Sequence, residues 1–393
     1  MSDSCEQNSS SEASSHVADR LPNRNNVIRG QQHSYTIGRK LAQGRYGAVY
    51  EVLRRGDGKP LAAKLEICDS HFHGLNMDFN VLKIANRSGL NHMCQLIDRG
   101  KIEGHFKFML QVMQLLDENL DNLRHEFEGN RFSAPTAIKL GFEMLAALEE
   151  LHGLGFVHRD VKPANFMIKR EKGQTRVYMV DFGLCKAYRS SSGELKKPRE
   201  RAQFRGTVRY ASLAAHNERE QVPKDDIESW LYVLIELFTG ELLWSRCRRS
   251  EKNAVKQLKE QSRTQDGTQQ LFKYCPRAEF RRIMSYVDGL TYSSSVDYSY
   301  LNSLLKLAVK NYDINLDAPY DWNYESNDQT NTPETRSING DHNTNGEQAG
   351  ASNTQATNSN ETQKFDPVYS KLDQYVKKIN GLDINDTPQS NSK

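Results

Sequence analysis

Apolar residues recur along this chain with different periods in different places, and polar tracts close it off at both ends. Around positions 42–50 a glycine-containing turn lies between two strand-like stretches, the pattern of a hairpin. Residues 76–84 space their apolar positions as a helix does, and residues 135–152 do so over a longer span. From 227 to 238 the residues Ile227, Trp230, Leu231, Val233, Leu234, Ile235, Leu237 and Phe238 crowd the pattern, which predicts a helix surrounded by protein. Residues 1–34 are rich in Ser, Asn and Gln, and residues 324–364 are dominated by Asn, Thr, Gln, Gly and acids. Neither tract can offset the entropy of ordering, so both are expected to be disordered, as are residues 382–393. Within the C-terminal tail, Phe365, Val368, Tyr369, Leu372, Tyr375, Val376 and Ile379 recur at helical spacing, with Asp366-Pro367 as a start and Gly381 as a stop. This predicts an amphipathic helix over 365–381. It is too short to stand alone and is expected to pack on the main domain or dock a second protein.

The candidate chemistry sits between the two longer helical patterns. His158-Arg159-Asp160-Val161-Lys162-Pro163-Ala164-Asn165 is followed, sixteen residues after its Asn, by Asp181-Phe182-Gly183. This order supplies a base, a phosphate-binding Lys and two hard-oxygen metal ligands. Phosphoryl transfer needs these parts because the protein must place a hydroxyl in line with the γ-phosphate and neutralise its oxygens. The motifs resemble the catalytic and metal-binding loops of protein kinases. The resemblance implies that Asp160 accepts the hydroxyl proton and Lys162 steadies the γ-phosphate. It also implies that Asn165 and Asp181 hold Mg2+, with ATP as phosphate donor. Lys162 in that loop favours Ser/Thr over Tyr substrates. The implied fold is α+β and two-lobed: a small antiparallel-sheet lobe with one principal helix over 35–115, and a larger helical lobe over 116–323. ATP is expected in the cleft between the lobes.

Upstream, Ala42-Gln43-Gly44-Arg45-Tyr46-Gly47-Ala48-Val49 occupies the place of the glycine-rich loop over the phosphates, with Ala42 where the first glycine normally stands. Lys64 follows Val49 by fifteen residues, where a strand Lys reaches the α- and β-phosphates. Its acidic partner on the following helix is normally Glu, but here the position holds Asp78. One methylene is missing, so the pair is expected to require a helix closer to the strand, or to run through water or metal. On the same resemblance, Leu41, Gly44, Gly47, Val49, Ala62, Lys64, Met113, Gln114 and Leu115 contact ATP, Met113 as gatekeeper and Gln114-Leu115 as hinge. Asp226 is expected to begin the buried helix and hold the backbone of the catalytic loop.

Further along, Gly206-Thr207-Val208-Arg209-Tyr210-Ala211-Ser212-Leu213 and Lys224-Asp225-Asp226-Ile227-Glu228-Ser229 resemble the casein kinase I group, and most of all its tau-tubulin kinase branch. Residues 186–209 carry eight Lys or Arg against two acids, a net of +6. Beside a substrate groove such a cluster attracts carboxylates or a phosphate already on the substrate, and the resemblance implies that Arg209 binds such an anion, with Arg205 expected to join it. The expected substrates are therefore proteins with Ser/Thr near acidic or phosphorylated residues. A second basic stretch over 246–263 has seven positive residues against two acids, at helical spacing, and is expected to be a solvated helix surface. The competing reading is a pseudokinase or weakly active scaffold, suggested by Ala42, Asp78 and the adhesive tail.

Composition narrows the partners. A net charge of only +3 over 393 residues, without a recognisable binding module, argues against nucleic acid. No apolar run is long enough to span a membrane and the N-terminus lacks a hydrophobic signal core, so a cytoplasmic or nuclear location is expected. Six scattered cysteines without metal-ligand spacing suit reduced thiols. A monomer is expected.

Overall fold

The computed structural model describes residues 21–44, 46–68, 74–102, 108–190, 192–248 and 250–323. The predicted amphipathic segment 365–381 and its flanking tails lie outside the described residues. The first lobe comprises β1 (Val27–Arg29), β2 (Ser34–Gln43), β3 (Gly47–Arg54), β4 (Pro60–Ile67), helix α1 (Gly74–Arg87), β5 (Leu96–Ile102) and β6 (Phe108–Gln114). The strands form one antiparallel sheet in the order β1-β2-β3-β4-β6-β5. Period-two patterning explains it: in β3 the buried Ala48, Tyr50 and Val52 alternate with more exposed neighbours. Central β4 buries Leu61, Ala62, Ala63 and Leu65 without alternation, as expected of a strand covered on both faces.

The sheet begins earlier than the boundary at residue 35 suggested by composition. Ile28 pairs with Tyr35, and Leu21 and Ile28 are both buried. The turn before β2 is held by Asp98, which accepts from the Gln32 and His33 backbone N–H groups and from the Tyr35 hydroxyl at 2.9–3.1 Å. Two apolar anchors and one buried carboxylate suffice to order a stretch whose average composition is that of a tail.

The second lobe comprises β7 (Glu118–Asn119), α2 (Leu120–Arg124), α3 (Ala134–Gly153), β8 (Phe156–Val157), β9 (Phe166–Glu171), β10 (Gln174–Met179) and β11 (Lys186–Ala187). It continues with α4 (Leu213–His216), α5 (Pro223–Thr239), α6 (Lys252–Gln261), α7 (Gln265–Leu271), α8 (Arg277–Gly289) and α9 (Tyr298–Asn311). The start of α3 is capped by Ser133, with Pro135 in its first turn. Asp321 binds the same end, accepting from Ser133 N at 2.7 Å and Thr136 Oγ1 at 2.9 Å, which fastens the end of the described chain to this helix. Helix α5 is the protein-surrounded helix the pattern predicts, with every residue from Ile227 to Phe238 buried. Gly240 ends it in the left-handed region, and a Cβ there would lie 1.9 Å from the Gly129 carbonyl oxygen.

One feature of the packing matters for the site. The sheet has its own core around Tyr35, Ile37, Tyr50, Val52 and Leu65, whereas Val81, Leu82 and Ala85 of α1 belong to the core of the helical lobe, together with Met144, Phe182 and Trp230. Helix α1 is therefore held by the large lobe as well as by the sheet beside it.

Candidate active site

The segment from His158 to Asn165 links β8 to β9, and its backbone is fixed from beneath. Asp226, in the first turn of α5, accepts from His158 N at 2.6 Å and Arg159 N at 2.9 Å, and its Oδ2 lies 2.9 Å from His152 Nε2. This is the placement expected for Asp226. Burial pushes its carboxyl upward, but the hydrogen bond and charge of His152 outweigh that and hold it below the usual carboxylate range. Arg159 sits in the left-handed region and donates from Nε to the Leu184 carbonyl at 2.8 Å, so the loop is tied to the segment after Asp181.

The loop presents Asp160 with both oxygens engaged. Oδ2 accepts from Lys162 Nζ at 2.6 Å and Oδ1 from Thr207 Oγ1 at 2.7 Å. Asn165 donates Nδ2 to the Asp160 carbonyl at 2.9 Å, which leaves its amide oxygen for other work. Asp160, Lys162 and Asn165 are thus brought together within six consecutive residues.

Asp181 reaches the same region from the other side, itself in the left-handed region at φ 63°. Its Oδ1 lies 2.7 Å from Lys64 Nζ, and Asp78 Oδ2 lies 2.7 Å from the same nitrogen. The Lys64–Asp78 pair is therefore direct, without an intervening water or metal. The helix approaches closely enough to make up the missing methylene: a Cβ on Gly183 would stand 3.4 Å from Gly74 Cα, and Asp78 Oδ1 accepts from Phe182 N at 3.2 Å. Burial lowers the Lys64 pKa, but the two carboxylates outweigh it and hold the ammonium well above its usual range. Conversely, the Lys64 charge holds Asp181 down at about 2, against the effect of burial.

Four of the expected ATP contacts share one face of the sheet. Val49 stands opposite Lys64, and Ala62 opposite Met113. Residues two apart share a face, so all four side chains share one side. Gln114 ends β6 and donates its N–H to the Gln95 carbonyl at 2.9 Å, and Leu115 follows, half-buried. Gly44 donates to the Gly47 carbonyl at 2.9 Å across the hairpin tip. Gly47 cannot be another residue, since a Cβ would lie 1.8 Å from the Leu65 carbonyl oxygen. Ala42 pairs with Val49 in extended backbone, where a methyl group is tolerated and glycine's freedom is not required. Leu41 falls at a register irregularity in β2 and is 39% exposed.

The protein kinase domain family model matches residues 35–305. This chain belongs to the protein kinase family. It is 32% identical over 302 residues to a probable serine/threonine-protein kinase of Dictyostelium discoideum, a match covering 77% of this chain and 58% of that protein. It is 28% identical over 291 residues to a serine/threonine-protein kinase of Caenorhabditis elegans, covering 74% of this chain and 76% of the other. The chain thus spans less than two thirds of the Dictyostelium relative.

The kinase family uses ATP with a divalent metal, and this chain's residues fit one. The half-exposed Asp181 carboxylate and the free amide oxygen of Asn165 are hard oxygen donors, the type such ions select. Asn165 and the Asp181 segment are also physically coupled, since Val180 N donates to the Asn165 carbonyl at 2.9 Å.

The basic activation segment is less available than its composition suggests. Arg209 donates to Glu236 Oε1 at 3.2 Å and to the Ser245 carbonyl at 3.1 Å, so this kinase already gives it a buried internal anion. Lys186 and Arg199 share Glu220, and Arg201 pairs with Glu218. Arg205, Lys196 and Lys197 are exposed, and among the described residues Arg205 makes only a 3.4 Å contact to Gln203. The structure thus separates Arg205 from Arg209 as anion-binding candidates.

Three contributors escape a reading of motifs. Thr207 bonds Asp160 across 47 residues of sequence. Gly206, at φ 107°, lets this segment reach the catalytic loop, where a Cβ would sit 2.4 Å from the Arg159 carbonyl. Glu236 neutralises Arg209 and accepts from Tyr210 Oη at 2.6 Å. Thr207 and Gly206 stand inside a motif but carry no chemistry by type, and Glu236 is the one acid in the apolar run that follows Glu228 in its helix.

Proposed function

We propose that this kinase is catalytically active and transfers the γ-phosphate of ATP to serine or threonine hydroxyls of proteins. The observation that carries the reading is the single network in which Lys64 touches both Asp78 and Asp181 at 2.7 Å. Asp160, held by Lys162 and Thr207, completes the set. A divalent cation, Mg2+ in this proposal, would neutralise phosphate oxygens from Asn165 and Asp181. Lys64 would anchor the α- and β-phosphates, and Asp78 would keep its ammonium oriented. The substrate hydroxyl oxygen bonds to the γ-phosphorus as the bond to the bridging oxygen of ADP breaks, and the hydroxyl proton passes to Asp160. Lys162 lies where it can steady the transferring group.

The finer assignment, a casein kinase I-type enzyme of the tau-tubulin kinase branch, rests on the Gly206–Leu213 and Lys224–Ser229 sequences. A preference for acidic or prephosphorylated substrates rests on exposed Arg205, Lys196 and Lys197 more than on Arg209, which is already paired. The scaffold alternative rests on Asp78, Ala42 and the adhesive tail, of which the tail lies outside the described residues. A direct ion pair and an extended Ala42 both favour the active reading over it.

The test is Mg2+-dependent phosphate transfer to casein, a prephosphorylated acidic peptide and a basic peptide, by wild type and Asp160→Asn. Transfer by wild type alone supports the kinase reading. Equal turnover of acidic and basic peptides removes the substrate preference, and no transfer above the Asp160→Asn background leaves the scaffold reading.

A further inference from the structure

Within the basic stretch over 246–263, two described residues depart from the expected solvated surface: Arg263, which pairs with Glu228 at 2.8 Å, and Lys259. Lys259, on α6, is fully buried. Its Nζ lies 2.6 Å from the Ala211 carbonyl, 3.0 Å from the Val208 carbonyl and 3.3 Å from His216 Nε2. The rings of Tyr232 and Trp244 stand 4.8 and 5.3 Å from it. An ammonium has three donors and no acceptor: the two carbonyls take two of them, and His216 Nε2, which also lies 3.3 Å from the Val208 carbonyl, takes the third when that nitrogen is unprotonated, while the aromatic faces complete the surroundings. Taking an ammonium out of water is costly, and a helix that needed only an apolar filler here would carry Leu or Met. The position calls for a donor.

What Lys259 holds is the segment beside the catalytic base. Thr207 bonds Asp160, and Ser212 caps α4, so residues 208–211 bridge two fixed points. The bridge is irregular backbone whose carbonyls cannot be satisfied by a sheet or helix ladder. Those of Val208 and Ala211 go to Lys259, and that of Arg209 accepts from Trp244 Nε1 at 2.7 Å. Tyr210 and Ala211 donate their N–H groups back to the Thr207 carbonyl at 3.0 and 2.9 Å. The shape of this loop therefore depends on side chains supplied from more than thirty residues further along the chain.

We propose that Lys259 is the positioning residue of the substrate-docking loop, fixing the backbone of residues 207–211 for an extended Ser/Thr peptide and, through Thr207, the setting of Asp160. Its kinetic consequence rests on the kinase reading above; its effect on the loop does not. Arg209 meets internal charge, whereas Lys259 sets the backbone that carries it without touching substrate.

The experiment compares wild type, Lys259→Met and Lys259→Gln in the full chain. Methionine fills the space without a donor, whereas glutamine keeps one. Lys259→Met is expected to raise KM for the protein substrate about tenfold, the effect of losing one buried hydrogen bond, with KM for ATP within about twofold. Lys259→Gln is expected to recover most of that loss. Amide exchange at Tyr210 and Ala211 is expected to quicken in Lys259→Met while α5 stays protected. A folded Lys259→Met with wild-type KM for protein substrate, or with unchanged exchange at those two amides, overturns the proposal. If Lys259→Met does not fold, His216→Phe removes the third contact of the ammonium and is expected to show the same KM split at smaller size; an unchanged KM there overturns it equally. Should wild type transfer no phosphate, the kinase reading fails and the exchange comparison still decides the role of Lys259.

Discussion

Lys64 and Asp78 meet at 2.7 Å although the acidic partner is one methylene shorter than the glutamate usual in kinases. The helix that carries Asp78 lies close enough for direct contact: its Gly74 packs against Gly183, and its inner residues share the core of the large lobe. The pair is direct and buried on the Asp78 side, so little room is left there for a longer acid.

Lengthening it is expected to harm the enzyme. Asp78→Glu must push α1 away from Phe182 or bend its own side chain, so kcat/KM for ATP should fall about tenfold, equivalent to about 1.4 kcal/mol. Asp78→Ala should lose more, since Lys64 would keep only Asp181. Steady-state kinetics with ATP varied checks both, and a gain in Asp78→Glu would show that the short pair limits transfer.

Asp160→Asn removes the proposed proton acceptor while keeping shape and one acceptor oxygen for Thr207 or Lys162. The rate of transfer is expected to fall by about 10²–10⁴, the range typical of losing a general base. Thermal unfolding should stay close to wild type, which separates loss of chemistry from loss of fold.

Thr207→Val deletes the hydroxyl that holds Asp160 Oδ1 and preserves the branched shape. A fall in kcat of about tenfold is expected from one lost hydrogen bond to a charged group, and Thr207→Ser should restore most of it. Equal kcat in the valine and serine variants would remove Thr207 from the account.

Asp226 supports three donors at once, from His158, Arg159 and His152. Asp226→Ala leaves those groups buried and unpaired, and a loss of about 3–5 kcal/mol of stability is expected from denaturant unfolding. Activity should vanish with it, because the backbone carrying Asp160 loses its support.

The pH dependence of stability has an identifiable contributor in His216. Burial first, and the neighbouring Lys259 charge second, lower its pKa from 6.5 to about 3. The folded state then keeps a neutral ring between those values while the unfolded chain takes up a proton. Stability from this group is complete above pH 6.5 and declines as pH falls towards 3, with a slope of at most about 1.4 kcal/mol per pH unit. In His216→Gln that part of the slope should disappear, as measured by unfolding at pH 7, 6 and 5.

The sequence by itself determined the protein kinase family, the order of the catalytic parts and the buried helix α5. Those signals are local: a tripeptide, a fixed spacing, a run of apolar residues. It also placed Asp226 under the catalytic loop through the family pattern. Only the tertiary structure decided whether Asp78 reaches Lys64, because that depends on how far α1 moves towards Gly183 and the core it shares with the large lobe. Only it showed that Arg209 is neutralised by Glu236 across 27 residues, and that Lys259 serves Val208 across 51. A charged residue at helical spacing looks the same in sequence whether it faces water or a carbonyl, and long-range packing alone decides which partner it meets. The order of residues 21–34 was hidden for the same reason: Leu21, Ile28 and the hold of Asp98 on the turn are few against a polar average, yet each acts through a contact distant in sequence.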